Sequence, residues 1–100
     1  MKFGINTYLF ASPFTNAGTS YFPLFKEWGF DFVEIAVENP EDIDPEFVRR
    51  ELDKHGLECR SVCAATGEGR DLRGNRREQL NTIEYVNKLI DMAPILGSDL

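Results

Sequence analysis

One carboxylate, Glu34, stands in the middle of Phe32-Val-Glu-Ile-Ala-Val37, a run otherwise apolar on both sides. A carboxylate in such a strand is costly to bury without a partner. Either it faces a ligand, hydrogen-bonding a substrate or orienting a catalytic group, or it pairs with an arginine or lysine on a neighbouring strand. Asn6 poses the same question nearer the N-terminus, where Phe3, Ile5, Thr7 and Leu9 alternate with Gly4, Asn6 and Tyr8. The apolar set should take the helices, which sends Asn6 and Tyr8 to the other, small or polar face. Asn6 then reads as a site residue near a strand end, and Tyr8 as a site residue or packing.

Cys63 is followed by Ala64 and Ala65, small residues that leave space, so it reads as a pocket-lining thiol. No lysine or histidine is close in sequence to make it a nucleophile. Cys59 and Cys63 share one expected strand, roughly 13 Å apart, too far for a disulfide. Their spacing is also a poor zinc pattern. His55 is the one histidine, placed where imidazole suits a helix C-terminus. Gly67-Glu68-Gly69-Arg70 lacks the later glycine of a dinucleotide loop, since position 72 is Leu72, and there is no phosphate-loop pattern either. Glu38, Glu41, Asp42, Asp44 and Glu46 read as a solvated loop and helix cap. Among the aromatics, Tyr21, Phe22, Phe25 and Trp28 are expected in the core, while Phe10 and Phe14 on a loop could wall a pocket.

Three helix-like segments end in glycine, at Gly29, Gly56 and Gly97, and run straight into short apolar stretches. Glycine there ends a helix in the left-handed conformation. Alternation of this kind builds a parallel sheet backed by helices. Strands are expected at about 2–9, 32–37 and 58–64, and helices at about 21–28, 45–55 and 75–95. Ser20 is the candidate cap of the first helix. Asp44 and Pro45 open the second. Leu80, Ile83, Val86 or Asn87, and Ile90 form the expected apolar face of the third, with Pro94 disturbing its last turn. The sequence runs out as a fourth strand begins, so residues 1–100 read as one partial domain. Long loops follow each strand's carboxyl end, where open α/β sheets and barrels bind ligands. Function is therefore expected on Tyr8–Asn16, Val37–Asp44 and Cys63–Arg73.

With 100 residues, 42% of them hydrophobic and 28% charged, the composition is that of an ordinary globular protein. A net charge of −6 argues against nucleic acid. Met1–Phe10 is too short an apolar run for a signal peptide or membrane span. Free thiols favour the cytoplasm.

Lys2-Phe-Gly-Ile-Asn-Thr-Tyr-Leu-Phe10, Gly29-Phe-Asp-Phe-Val-Glu-Ile35, and Ser61-Val-Cys-Ala-Ala-Thr-Gly67 followed by Arg70-Asp-Leu72 together resemble the xylose-isomerase-like sugar isomerases and epimerases. Within that group they are most similar to the ketose 3-epimerases acting on D-tagatose and D-psicose. The resemblance implies an α/β fold, the N-terminal three βα units or so of a (β/α)8 TIM barrel. It further implies an epimerase in which two glutamates remove and return the proton on carbon 3. A divalent metal ion, manganese, cobalt or magnesium, would hold the ketose oxygens, with all its ligands on later strands outside residues 1–100. No catalytic or metal-binding residue is expected within the chain, and alone it would be inactive. Asn6 and Cys63 match pocket positions of the family, and Glu34 matches its usual glutamate on the second strand. Two departures stand out. Phe10 replaces a frequent tryptophan, and the Gly56–Cys63 spacing is one residue longer than in some relatives. That extra residue leaves Val62 as the alternative pocket occupant, because a one-residue slip reverses a strand's face.

The expected partner is a small-molecule ketose or related sugar, in a homo-oligomer (dimer or tetramer). Alternatives are a hydroxypyruvate isomerase, an inosose dehydratase, a sugar-phosphate isomerase that would use Arg70 and Arg73, or a non-catalytic α/β binding module with its own means of protecting sheet edges.

Overall fold

The computed structural model describes residues 1–65 and 69–98. Three strands, β1 (Gly4–Asn6), β2 (Phe32–Val37) and β3 (Glu58–Ala64), form a parallel sheet in the order β1-β2-β3. Three α-helices follow them: α1 (Phe22–Glu27), α2 (Pro45–Lys54) and α3 (Arg76–Leu96). Val33, Ile35 and Val37 are fully buried against the helices in one core with Phe14, Phe22, Phe25, Val48, Leu52 and Leu96. Each such aliphatic side chain contributes ~1.5–3 kcal/mol through lost water contact. Gly29, Gly56 and Gly97 all have positive φ, at 93°, 69° and 92°, and each ends a helix as anticipated.

β1 is far shorter than the expected strand 2–9. After Asn6 the chain turns into a 3-10 helix, Thr7–Leu9, because the Asn6 side chain accepts from the Tyr8 backbone N–H. The Thr7 hydroxyl then takes the Ala36 N–H at 3.1 Å, replacing the ladder bond that a longer strand would have made. The alternation therefore breaks at Thr7, and Phe3 and Leu9 are exposed instead of packed on helices.

A second 3-10 helix, Asn16–Tyr21, occupies the first loop, so α1 starts at Phe22 and Ser20 is not its cap. Phe14 is fully buried and stacks on Phe22 at 6.2 Å. Phe10 packs on Phe25 and Trp28, at 5.2 and 5.7 Å. Neither ring lines the cavity at the strands' carboxyl ends, whereas Trp28 and Tyr21, expected inside, are exposed. The caps of α2 and α3 come from Asp44, bonded to the Glu46 and Phe47 N–H groups, and from Asn75, bonded to the Glu78 N–H.

The buried face of α3 is Thr82, Tyr85, Leu89, Met92 and Leu96. Of the expected stripe, Val86 packs against the core, but Leu80, Ile83 and Ile90 are 55%, 50% and 60% exposed. Both stripes repeat with helical period, and tertiary packing selects the one that carries Tyr85. Pro94 does not break the helix, which runs on to Leu96.

Gly4 lies beneath the Phe32 ring, and a Cβ on it would sit 2.0 Å from Phe32 Cε2. The Arg60 guanidinium covers the same ring, 4.6 Å from its centroid. Gly4→Ala must displace a ring held from both sides and should cost ~1–3 kcal/mol. Urea unfolding checks this; an unchanged midpoint would show that the ring is free to move.

Candidate functional site

The face of the sheet turned away from the helices carries a polar row. Asn6 pairs with Glu34, and Glu34 with Ser61, at matched positions of the three strands. Asn6 Nδ2 donates to Glu34 Oε1 at 2.5 Å, and Ser61 Oγ donates to Glu34 Oε2 at 2.6 Å. Both carboxylate oxygens are thus satisfied by neutral donors, and the arginine or lysine partner considered from sequence is not what holds Glu34. Such bonding offsets the several kcal/mol that an unpartnered buried carboxylate costs.

Register explains how β3 joins this row. Val33 pairs with Cys59 but Glu34 pairs with Ser61, so Arg60 is an extra residue at a β-bulge. The bulge sends Cys59 to the helix side, where it is buried, and brings Ser61 and Cys63 beside Glu34 and Ala36. Cys63 therefore keeps the site face despite the longer Gly56–Cys63 spacing. Val62 faces the other way and packs against the core.

Immediately beyond the row, at the carboxyl ends of β1 and β3, lies a cavity of about 600 Å³. Asn6, Tyr8, Leu9, Ala36, Cys63, Ala64 and Ala65 line it. Three of the four sequence-predicted residues, Asn6, Tyr8 and Cys63, meet there, Tyr8 by way of the 3-10 turn instead of a strand. Glu34 is not in the lining; it stands behind Asn6.

Two contributors escaped the sequence reading. Ser61 shares a strand face with Cys63 two residues on, a signal that was present. Tyr85 gave none, since its role depends on which face α3 buries. Its hydroxyl donates to the Val37 carbonyl and accepts from the Ala65 N–H at 2.8 Å, tying the ends of β2 and β3 together. Arg70 lies 4.2 Å over the Tyr85 ring and donates to the Glu38 carbonyl at 2.6 Å. Arg73 is paired with Asp71. Ser12 of the first loop donates to Glu38 at 2.5 Å and Lys88 of α3 donates to Glu41 at 2.9 Å, so parts of the acidic run tie the β2–α2 connection to its neighbours. His55 sits at the end of α2, 3.6 Å from Glu51. Thr66, Gly67 and Glu68 of the glycine-rich loop, and Asp99 and Leu100 of the expected fourth strand, lie outside the described residues. Among the described residues no group of three or more His, Cys, Asp or Glu side chains is placed to hold a metal ion. None of their helices is long and apolar enough to cross a membrane.

The two thiols are chemically distinct. Burial pushes Cys59 up to about 11, while Cys63 is partly exposed on the cavity wall. Iodoacetamide near neutral pH should therefore label Cys63 in the folded protein and Cys59 only after unfolding, as peptide mass mapping would show; rapid native labelling of Cys59 would contradict the bulge. Because the folded Cys59 value lies above its ordinary 9.0, its linkage to stability is present below pH 9 and is lost as pH rises toward 11.

Parallel βα units with a cavity at the strands' carboxyl ends are the arrangement in which barrels and open α/β sheets alike bind ligands. Over 98% of its length the chain superposes on 35% of a D-allulose 3-epimerase from Methylomonas sp., with a TM-score of 0.84 and 20% identity. The same enzyme in complex with D-allulose gives a TM-score of 0.82 at 19% identity, over 98% of this chain and 34% of that one. In sequence the chain is 32% identical over 72 residues to a probable ketose 3-epimerase from Synechocystis sp., a match covering 72% of this chain. No family model matches. The chain spans about a quarter of the length of that curated relative. The sequence is thus similar to that of a probable ketose 3-epimerase, and the fold to the corresponding part of a D-allulose 3-epimerase.

Proposed function

We propose that these residues form the first three βα units of a (β/α)8 barrel that epimerises a ketose at carbon 3. The observation that carries this reading is the convergence of Asn6, Tyr8 and Cys63 on one cavity at the strand ends, in a chain similar in sequence to a probable ketose 3-epimerase. The reaction removes the proton on carbon 3 beside the carbonyl, spreads the electron pair into an enediolate, and returns a proton to the opposite face. No redox change occurs and no atom is lost. The chain's own part is binding and orientation. Asn6 offers an N–H and Tyr8 a phenol to sugar oxygens, while Leu9, Ala36 and Cys63 exclude water from the carbon skeleton.

The acid–base glutamates belong, on this reading, to later strands. The divalent ion that the resemblance implies finds no donor set among the described residues. An unphosphorylated sugar is favoured over a sugar phosphate, because Arg70 and Arg73 are already engaged by Glu38, Tyr85 and Asp71. The self-contained module is disfavoured by the outer edges of β1 and β3, which pair with no further strand among the described residues. The free thiols support a cytoplasmic protein, and a homo-oligomer is what the resemblance implies.

The test is the protein at the full length of its relatives, incubated with D-allulose in deuterated water. D-fructose carrying deuterium at carbon 3 is the expected product; neither product nor exchange would overturn the proposal. Asn6→Ala should raise KM about tenfold, the worth of one hydrogen bond to substrate, with the fold intact. Unchanged kinetics would remove Asn6 from the pocket.

A further inference from the structure

The Asn6 carboxamide is held at both ends by partners of opposite sense. Its Oδ1 accepts the Tyr8 N–H at 2.8 Å, and one Nδ2 hydrogen goes to Glu34 Oε1 at 2.5 Å. A flipped amide would set Oδ1 against a carboxylate oxygen and Nδ2 against an N–H, losing both bonds and adding repulsion. The second Nδ2 hydrogen has no partner among the described residues, and Asn6 lines the cavity. Glu34 is in turn fixed by Ser61 Oγ on its other oxygen, so the orientation is set from both neighbouring strands.

We infer that Glu34 is a positioning residue: acting through Asn6, with Ser61 as its brace, it commits the cavity to present a hydrogen-bond donor to a hydroxyl or carbonyl oxygen of the ligand. Glu34 does not itself touch the ligand. The inference rests on the proposed ketose site for its ligand, but not for the locking of Asn6.

Two readouts separate the inference from that proposal. In the full-length protein, the Asn6 side-chain amide should appear in a 15N-resolved NMR spectrum as a shifted, slowly exchanging pair. Glu34→Gln should keep it, since the Gln carbonyl can accept from Asn6 while its amide donates to Ser61 Oγ. Glu34→Leu should release it. If Glu34→Leu does not fold, Glu34→Ser, whose short side chain cannot reach Asn6, is read in the same way. An Asn6 amide unchanged in the leucine or serine variant overturns the inference, whether or not the protein acts on ketoses. With D-allulose as substrate, the releasing variant should raise KM about tenfold in the wild-type background but add nothing to Asn6→Ala. Equal effects in both backgrounds would show that Glu34 acts other than through Asn6, and would also overturn it.

Discussion

A carboxylate in the central strand of a small parallel sheet must be given donors or the strand cannot be buried there. Glu34 receives one from each neighbouring strand, Asn6 on β1 and Ser61 on β3, at the same level of the sheet. That single requirement fixes much else. It sets the polar face opposite Val33, Ile35 and Val37, pins the relative heights of all three strands, and places the row directly under the cavity at their carboxyl ends.

The bulge at Arg60 is the local adjustment that makes the row possible. Without it, strict alternation would put Cys59 on the same face as Ser61 and Cys63. With it, Cys59 fills the helix side, and the freed Arg60 side chain covers Phe32, which itself lies on Gly4. The layer below the polar row is thus a ring packed between a glycine and a guanidinium, and the layer above it is small: Ala36, Cys63 and the turn bearing Tyr8. A small layer above a fixed polar one is what leaves room for a ligand. Tyr85 joins β2 to β3 at that level by bonding both the Val37 carbonyl and the Ala65 N–H, so the cavity floor and rim are held by different elements.

Much of this was legible in the residues. β2 and β3 occupy the expected ranges, β2 as a mostly apolar run and β3 as the stretch that follows the helix-ending Gly56. The α2 boundary followed from Asp44-Pro45, whose capping chemistry is local. The misses were non-local. β1 stops at Asn6 because a side chain captures the backbone N–H of Tyr8, a competition that alternation cannot show. The buried face of α3 is not legible in sequence because Leu80, Ile83 and Ile90 repeat as regularly as Thr82, Tyr85 and Leu89, and only packing on the sheet decides between them. Asn6, Tyr8 and Cys63 stand out as site candidates from their place on the strands, Asn6 and Cys63 also from the resemblance, but Glu34's standing behind Asn6 is visible only in the side-chain geometry.

The most direct measurement of the central claim is a crystal structure of the full-length protein with D-allulose bound. The account predicts a sugar oxygen within about 2.7–3.2 Å of Asn6 Nδ2, with Glu34 still joined to Asn6 and Ser61 and out of contact with the sugar. A sugar bound directly to Glu34, or seated away from the Asn6–Cys63 cavity, would contradict it.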